Sequence, residues 1–245
     1  MRENYFDGPV AETYDDDTTF LSDPAVVGPT VDFLAALAGD GAALELGIGT
    51  GRVALPLAAR GVPVSGIELS PDMVARLKAK PGGAAIDVVI GDFASASVEG
   101  TFRLAYLVYN TIQNLTSQDD QVACFANVAR HLEAGGCFVV EGPVPPRRRL
   151  PPGETAMAFL VTPERLGFDT LDVVHQLGVS HHYWVADGRA RTFAMPYRYV
   201  WPAELDLMAR LAGLRLRERW SGWSRAPFTG DSAAHVSVWE KLPSA

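Results

Sequence analysis

Cysteine and positive charge are scarce in this chain of 245 residues, and long apolar runs are missing. The two cysteines, Cys124 and Cys137, fall in a helical and a strand pattern, so we expect small core residues in a reducing compartment. Their spacing matches no metal-binding motif. Asp and Glu number 29 against 21 Lys and Arg, and the net charge of −8 argues against a nucleic-acid partner.

No apolar run reaches the roughly 18 residues of a membrane-spanning helix. The first residues are polar and acidic, unlike a signal peptide. We therefore expect a cytoplasmic protein without a membrane partner. With 48% hydrophobic and 20% charged residues, the composition suits one large α/β domain or a domain with an insertion.

Apolar strands alternate with amphipathic helices in the first part of the chain. The strands are too apolar to have a solvent-facing side, which is typical of a parallel sheet covered by helices on both faces. The predicted strands are Ala42–Leu46, Val62–Glu68, Ile86–Ile90, Phe102–Tyr109 and Cys137–Glu141; the predicted helices begin after Asp23, cover Arg52–Arg60, begin after Ser70 and cover residues 118–134.

The pattern then changes to that of an antiparallel sheet. Residues from about 157 to 200 indicate three or four strands, among them 158–161, 171–174 and 180–185, with a hairpin turn at Asp187–Gly188. The rest of the chain is predicted as a helix and two strands, Pro202–Leu211, Leu214–Trp220 and His235–Trp239. We therefore divide the chain into a lead-in with a cap helix (1–41), an α/β core (42–143 and 201–245) and an inserted sheet (144–200).

A glycine-rich turn follows the first predicted strand. Glu45 lies within this apolar strand, and glycines occupy every second position from Gly47 to Gly51. Alternate glycines let the backbone turn sharply and approach a ligand, while the next helix presents free N–H groups and the positive end of its dipole. The dinucleotide fingerprint needs its third glycine one residue later, where Arg52 stands, and no Gly-Lys-Ser/Thr phosphate loop follows. The spacing thus disfavours a nicotinamide-dependent oxidoreductase.

Two acids follow the next strands. Glu68 ends the second predicted strand, and Asp92 comes directly after the third. The carboxyl ends of parallel strands form the ligand-binding edge of such a sheet. We therefore expect both acids and the glycine turn to lie on one edge. A carboxylate there can accept hydrogen bonds from two hydroxyls at once, as the ribose of a nucleoside would require.

The segment Glu45–Gly51, Glu-x-Gly-x-Gly-x-Gly, resembles motif I of the class I S-adenosylmethionine (SAM)-dependent methyltransferases. The resemblance extends in order over residues 42–142 and 202–240. It implies a Rossmann-like α/β sheet with helices on both faces, SAM as the cofactor, and the inserted antiparallel sheet as a lid. Residues 108–115 resemble the segment after strand four of small-molecule methyltransferases. They lack the Asn/Asp-Pro-Pro-Tyr motif of many enzymes that methylate nucleic acids or proteins.

The resemblance also implies a role for each residue of this edge. Glu68 matches the position that binds the ribose hydroxyls, and Asp92 with the backbone of Phe93 matches the adenine position. Leu69 and Met73 would be apolar walls of the adenine site. The methionyl end would lie against the other members of the set, Glu45, Gly47, Gly49, Gly51 and Asn110.

Four residues are candidates for the acceptor side. Tyr14 resembles a lid tyrosine of related enzymes and would contact either the cofactor carboxylate or the acceptor. Asn114 would face the acceptor, although sugar N-methyltransferases tend to have a histidine near this position. The inserted sheet resembles the roof of glycine and amino-sugar N-methyltransferases, where it can also form dimers. It carries His181 and His182 as candidate bases, and these two lack further ligands at a spacing suited to zinc.

Together these patterns predict a SAM-dependent methyltransferase of the small-molecule branch. The favoured acceptor is an amine or a natural-product scaffold, and the chain would be a monomer or a homodimer through the inserted sheet. Two alternatives stay open: a catalytically silent SAM-binding protein of the same fold and, less favoured, a nicotinamide-dependent oxidoreductase.

Overall fold

The computed structural model describes residues 4–145, 150–186 and 189–243. Its strands are β1 (Ala43–Leu46), β2 (Val64–Glu68), β3 (Asp87–Ile90), β4 (Phe102–Leu107), β5 (Leu132–Pro143), β6 (Ala156–Val161), β7 (Arg165–Asp172), β8 (Leu177–Ala186), β9 (Arg189–Arg198), β10 (Leu214–Trp220) and β11 (Ala234–Lys241). Its α-helices are α1 (Pro9–Asp17), α2 (Pro24–Ala38), α3 (Ala54–Ala58), α4 (Pro71–Ala79), α5 (Gln118–His131) and α6 (Pro202–Leu211). None of the helices in these ranges has the length and apolarity needed to cross a membrane.

A seven-stranded sheet forms the centre, in the order β10-β11-β5-β4-β1-β2-β3. Strands β1 to β5 are parallel, as the apolar strand patterns predict, whereas β11 is antiparallel to β5 and β10 to β11. Strand β1 lies between β2 and β4, so the chain changes direction across the sheet at this point. Ligands of open α/β sheets bind at such a switch point, and the glycine turn follows β1.

Helices cover both faces of the sheet, and alternate strand residues belong to two apolar clusters, one on each face. Ala43 of β1 belongs to the cluster that contains Leu34 of α2 and Leu57 of α3. Leu44 belongs to the opposite cluster, which contains Phe125 of α5. Because successive strand residues point to opposite faces, each face of β1 is fully covered. The Rossmann-like fold with helices on both faces is confirmed.

The caps predicted for two helices are present. The Asp23 carboxylate accepts a hydrogen bond from the N–H of Ala25 at 2.8 Å at the start of α2. The Ser70 hydroxyl accepts one from the N–H of Met73 at 3.1 Å at the start of α4. Proline follows each cap in the sequence, where its missing N–H costs nothing.

Several element boundaries differ from the sequence-based prediction. The lead-in contains helix α1, which its acidic sequence did not indicate, and α3 is shorter than the predicted Arg52–Arg60. Strand β5 begins at Leu132, where the helix was expected to continue to residue 134, because Leu132 already pairs with Phe102 of β4. Strand β3 is partly exposed, unlike the other parallel strands, because it lies at the edge of the sheet.

The inserted segment forms a four-stranded antiparallel sheet in the order β6-β7-β8-β9. Strand β7 covers 165–172, whereas a strand was predicted at 171–174. The difference arises because the Asp172 carboxylate accepts hydrogen bonds from the N–H groups of Val174 and His175 and so forms a turn. Ala186 pairs with Arg189, and the predicted hairpin turn at Asp187–Gly188 lies outside the described residues.

Candidate cofactor and acceptor site

The glycine turn between β1 and α3 requires glycine for two separate reasons. Gly47, Gly49 and Gly51 have φ of +67°, +55° and +83°, a region that side chains rarely enter. A Cβ on Gly47 would also lie 2.7 Å from Cγ2 of Thr111, and one on Gly51 would lie 2.9 Å from Cδ1 of Leu77. The turn is therefore packed between β4 and α4 and keeps a fixed shape.

Glu68 links the end of β2 to this turn. Its Oε2 accepts the N–H of Gly49 at 2.8 Å, and its Oε1 accepts the N–H of Ser70 at 3.0 Å. Burial raises the pKa of Glu68, although these backbone donors oppose the rise. Each carboxylate oxygen has two acceptor sites, so both oxygens can still accept a further hydrogen bond.

A cavity of about 240 Å³ lies beside Glu68. Its lining includes the predicted adenosine-site residues, Leu69, Met73, Asp92 and Phe93. Oδ1 of Asp92 accepts the N–H of Ala94 at 2.9 Å, which orients the carboxylate at the start of the loop after β3. The structure therefore brings one ring of apolar side chains and two carboxylates together around one cavity, as the sequence predicts.

Glu45 is buried beneath the glycine turn. Its Oε2 accepts a hydrogen bond from the hydroxyl of Tyr106 on β4 at 3.0 Å. Burial raises the pKa of Glu45 to about 8, while the Tyr106 hydroxyl and the charge of Arg52 act in the opposite direction. A positively charged group placed above Glu45 would favour the ionised carboxylate.

The end of β4 has an unusual backbone. Tyr109 and Asn110 have φ of +53° and +63°, and neither is glycine. The N–H of Tyr109 donates to Oε2 of Glu141 at 2.8 Å, and Trp223 Nε1 donates to Oε1 of the same carboxylate at 2.9 Å. Such left-handed pairs persist only where neighbours hold them, and they occur often at ligand sites. Asn110 lines a second, larger cavity.

The larger cavity has a volume of about 1010 Å³ and lies between the glycine turn and the four-stranded sheet. Both cavities are lined by a shared set of residues: Phe6, Tyr14, Gly47, Gly49, Thr111, Asn114 and Met195. The two cavities therefore meet at the point where α1, the glycine turn, the end of β4 and strand β9 come together.

Tyr14 and Asn114 both lie at this junction, on α1 and on the turn after β4. Burial raises the pKa of Tyr14 to about 12, although the charge of Arg52 opposes the rise. The phenol therefore keeps its proton at neutral pH and can donate a hydrogen bond, but it is not a base there.

The two histidines of β8 point to opposite faces of the inserted sheet. His182 lines the larger cavity, whereas His181 is absent from its lining, stacks on Phe168 at 4.7 Å and lies 3.1 Å from Thr170 Oγ1. His182 Nε2 lies 3.1 Å from Ser180 Oγ, and its Nδ1 is buried without a hydrogen-bond partner among the described residues. Burial lowers the pKa of His182, with a contribution from Arg165.

Some cavity residues were missing from the sequence-based set. Phe6, Thr111 and Met195 line both cavities, but none carries a chemical group that marks a site in the sequence. Arg165 lines the larger cavity at the start of a strand that was predicted too late in the chain. Within the described ranges, no three His, Cys, Asp or Glu residues group as metal ligands.

The glycine turn, the strand-end carboxylates and the two cavities meet at one edge of a Rossmann-like sheet, which is where open α/β folds bind their ligands. Comparison with known proteins identifies the family. A family model described as a methyltransferase domain matches residues 43–136. The chain is 36% identical to the CcbJ methyltransferase from Streptomyces caelestis; 96% of each chain is covered, with a TM-score of 0.85.

Two further relatives extend this result. Cypemycin N-terminal methyltransferase from Streptomyces sp. is 26% identical over 96% of this chain and 97% of its own length. CalS10 is an amino pentose methyltransferase from Micromonospora echinaspora whose structure contains bound SAM. Its sequence is 23% identical to this chain, and the two folds match with a TM-score of 0.72 over 99% of this chain and 100% of CalS10. The chain belongs to the class I SAM-dependent methyltransferases, in their small-molecule branch. It is an enzyme that uses SAM.

Proposed function

We propose that this enzyme transfers the methyl group of SAM to the nitrogen of a small amine or natural-product scaffold. The observation that carries the proposal is the junction of the two cavities at Tyr14 and Asn114. The smaller cavity has the size and polar groups for a nucleoside, and the larger one is roofed by the inserted sheet. The names of the cypemycin enzyme and of CalS10 give a peptide N-terminus and an amino pentose as acceptors, and both are amines.

The adenosyl part of SAM would occupy the smaller cavity. Glu68 has acceptor sites left for the two ribose hydroxyls after it binds the backbone N–H groups of Gly49 and Ser70. Asp92 and the backbone of Phe93 would bind the adenine amino group, between the apolar side chains of Leu69 and Met73, which line the same cavity.

The methionyl part would lie over the glycine turn. Gly47 and Gly49 line the cavity and leave the backbone free of side chains there, whereas Gly51 lines neither cavity and packs against Leu77. The amino group would lie near Glu45 and Asn110, which both line the larger cavity. An ammonium group above Glu45 would favour its ionised form, in the same way as the charge of Arg52. The buried carboxylate therefore suits a cationic partner.

Bound SAM supplies an electrophilic methyl group on a sulfonium, so the protein must mainly align the acceptor nitrogen and exclude water. Holding two reactants in line contributes up to about 7–11 kcal/mol in favourable cases. Tyr14 would donate a hydrogen bond at the junction, and Asn114 would orient the acceptor. His182 lines the larger cavity and would be the base on the acceptor side. His181 has no such role, because it lines neither cavity.

We assign one role to each of three parts of the chain. Residues 1–41 would form a lid and a cap helix, residues 42–143 and 201–245 the SAM-binding core, and residues 144–200 a roof over the acceptor. Support comes from the contacts of the roof with both other parts. Arg191 of β9 forms a salt bridge with Asp17 of α1 at 2.9 Å. Arg198 of the same strand binds Glu204 of α6 at 2.6 Å.

The outer face of the roof is the surface that would form a homodimer, if the enzyme is not a monomer. This face carries an aromatic stack in which Phe168 lies 4.7 Å from His181 and 6.0 Å from Tyr183. Leu166 on the same face is 39% exposed. Light scattering on the native protein and on Leu166→Asp decides between the two states.

We also propose a cytoplasmic location. Cys124 and Cys137 are buried and form no disulfide within the described part of the chain, which supports it because thiols persist in reducing compartments. Fractionation of the cells that produce the protein tests this location.

SAM binding tests the cofactor assignment. Glu68→Ala should weaken the calorimetric affinity for S-adenosylhomocysteine by about tenfold or more, since two hydrogen bonds to a charged acceptor are lost. Glu99→Ala, an exposed acid outside both cavities, is the matched control. Equal affinity of both variants would contradict the role of Glu68.

Methyl transfer tests the acceptor class. The enzyme is incubated with SAM and a panel of small primary and secondary amines, and S-adenosylhomocysteine and N-methylated products are followed by mass spectrometry. We expect product with amines and none with the matching alcohols. SAM binding without product from any acceptor would indicate a silent binding protein instead, and binding of NAD in place of SAM would indicate an oxidoreductase.

A further inference from the structure

One wall of the larger cavity carries an indole ring between two arginines. Trp184 of β8 pairs directly with Arg165 of β7 and with Arg191 of β9. The two guanidinium carbons lie 5.1 Å and 4.5 Å from the ring centroid. Residues paired across neighbouring strands share one face of the sheet, and all three line the cavity. The ring therefore holds both cations in place through cation–π contacts.

The two arginines differ in their charge partners. Arg191 forms a salt bridge with Asp17 at 2.9 Å, so its charge is already balanced. The salt bridges within the described parts of the chain do not include Arg165. Its Nε atom is buried and has no hydrogen-bond partner among those residues. A buried donor of a charged group costs free energy unless a ligand or another group satisfies it.

The acid on the same face of β7 does not balance Arg165. Asp169, on the same face of β7, lies within hydrogen-bonding range of the hydroxyls of Ser180 and Tyr197, and burial raises its pKa. Burial raises the pKa of Tyr109, which lies after β4, and the positive charges of Arg52 and Arg165 oppose this rise. The charge of Arg165 therefore acts across the cavity.

Arg52 also lines this cavity, but it lies at the glycine turn, where it donates to the carbonyl oxygen of Leu21 and contacts the Tyr109 ring. Arg165 is thus the arginine on the wall formed by the inserted sheet that has no acidic partner among the described residues.

We propose that Arg165 binds a carboxylate of the methyl acceptor, so that the substrates of this enzyme are amino carboxylates. The proposal rests on the proposed function, because it names the substrate class of the same site. A guanidinium binds a carboxylate through two parallel N–H bonds, and Arg165 lines the cavity on the wall formed by the inserted sheet. One guanidinium matches the single charge of a carboxylate, whereas a phosphate dianion would need a second cation beside it. The neighbouring Arg191 is held by Asp17, and Arg52 lies at the glycine turn over the Tyr109 ring.

The test uses the full chain loaded with S-adenosylhomocysteine. A panel of α-amino acids is compared with the corresponding primary amides by calorimetry at pH 6, where the amine of both members is protonated. O-phosphoethanolamine is included as the phosphate probe. At least one acid should bind about tenfold more tightly than its amide, the difference expected for a charge-assisted bidentate contact. This comparison needs no substituted protein.

Variants then assign the preference to one side chain. Arg165→Gln should abolish the preference for the acid and leave the affinity for the amide within twofold. Arg165→Lys should restore part of the preference, since lysine keeps the positive charge but cannot form the two parallel hydrogen bonds of a guanidinium. Arg215→Gln, an exposed arginine of β10 outside both cavities, should behave as the native protein.

Three results overturn the proposal: no acid in the panel binds better than its amide, Arg165→Gln keeps the preference, or the phosphate probe binds more tightly than every acid. Binding of S-adenosylhomocysteine is measured first on each protein. Failure of the native protein to bind it would contradict the proposed function. Normal binding without a preference for acids contradicts only the carboxylate subsite.

Discussion

The hydroxyl of Thr50 donates a hydrogen bond to Oδ1 of Asp15 at 2.6 Å and so joins helix α1 to the glycine turn. Lys80 of the segment after α4 binds Oδ2 of Asp15 at 2.8 Å and donates to the carbonyl oxygen of Thr50 at 2.9 Å. Burial alone would raise the pKa of Asp15, but the hydrogen bonds from Lys80 and Thr50 hold it below its usual range. One carboxylate therefore holds α1 against the turn.

Asp15→Ala should loosen α1 without unfolding the core. The carboxylate is partly exposed, so we expect its contacts to contribute about 1 kcal/mol to the placement of α1. Their removal then corresponds to roughly fivefold weaker binding of S-adenosylhomocysteine. Hydrogen exchange of residues 9–17 should become faster. Asp16→Ala, an exposed acid of the same helix, is the control and should change neither quantity. Unchanged exchange in Asp15→Ala would show that the lid is held by other contacts.

Glu45 should make the stability of the protein depend on pH. Its pKa is raised from 4.5 to about 8 by burial, so between these values the folded protein keeps a proton that the unfolded chain has released. Its contribution is therefore fully present below about pH 4.5 and is lost as the pH rises through 8. Glu45→Gln cannot titrate. The free energy of unfolding of the native protein, relative to this variant, should fall between pH 5 and pH 8 and level off above.

Urea denaturation at pH 5, 6, 7, 8 and 9 measures this difference. Glu99→Gln, an exposed acid, is the control and should run parallel to the native protein. A constant difference between native protein and Glu45→Gln over the whole range would mean that Glu45 titrates normally. The Tyr106 hydroxyl can donate to the amide oxygen of Gln at position 45, so the variant keeps its main hydrogen bond.

The edge of the sheet could be predicted because its features are local and the topology is simple. Glu68 and Asp92 follow apolar strands, and parallel strands bring their carboxyl ends together. The glycine turn is a contiguous motif whose backbone demands can be inferred from residue types alone. No long-range contact had to be known for this part of the site.

The rest depends on contacts that the sequence does not encode locally. Helix α1 is acidic and is held by Asp15 and by the bond between the N–H of Gly8 and Asp72 of α4. His181 and His182 are adjacent, and only the register of β8 against β7 decides which faces the cavity. The left-handed backbone at Tyr109 is stabilised by Glu141, which lies 32 residues away.

Tyr14→Phe should slow methyl transfer and leave cofactor binding nearly unchanged. Removing the hydroxyl deletes the hydrogen bond that we propose for it at the junction of the cavities, worth about 1 kcal/mol, so kcat should fall about fivefold. The pKa of Tyr14 is about 12, hence the pH–rate profile between pH 6 and pH 9 should keep its shape. Rates are measured with an amine found in the acceptor panel.

Tyr183→Phe is the matched control, since Tyr183 stacks on Phe168 and lies outside both cavities. It should leave kcat and the affinity for S-adenosylhomocysteine unchanged. Loss of a titrating limb below pH 9 in Tyr14→Phe would indicate that the phenol acts as a base. An unchanged kcat would remove Tyr14 from the reaction.

The roof should depend on one buried ion pair for its attachment to the core. Arg198 at the end of β9 binds Oε1 of Glu204 at 2.6 Å, and their side chains are 5% and 15% exposed. Arg198 also donates to the side-chain oxygens of Gln121 and Gln176. Arg198→Met leaves Glu204 without its cation, and removing one partner of a buried pair costs about 3–5 kcal/mol. Arg191→Met, an exposed arginine of the same strand, should cost less than about 1 kcal/mol.

The effect of Arg198→Met should also fade in acid. Burial alone would raise the pKa of Glu204, but hydrogen bonds from Gln176, Arg198 and Gln118 hold it below its usual range. Its contribution is therefore present above the ordinary pKa of about 4.5 and is lost as the pH falls through the lower, folded value. Denaturation should show a large difference in the free energy of unfolding between Arg198→Met and the native protein at pH 7, and a smaller difference at pH 3.5. An equal difference at both pH values would mean that Arg198 acts through its packing and its amide contacts, because protonation of Glu204 would then change nothing.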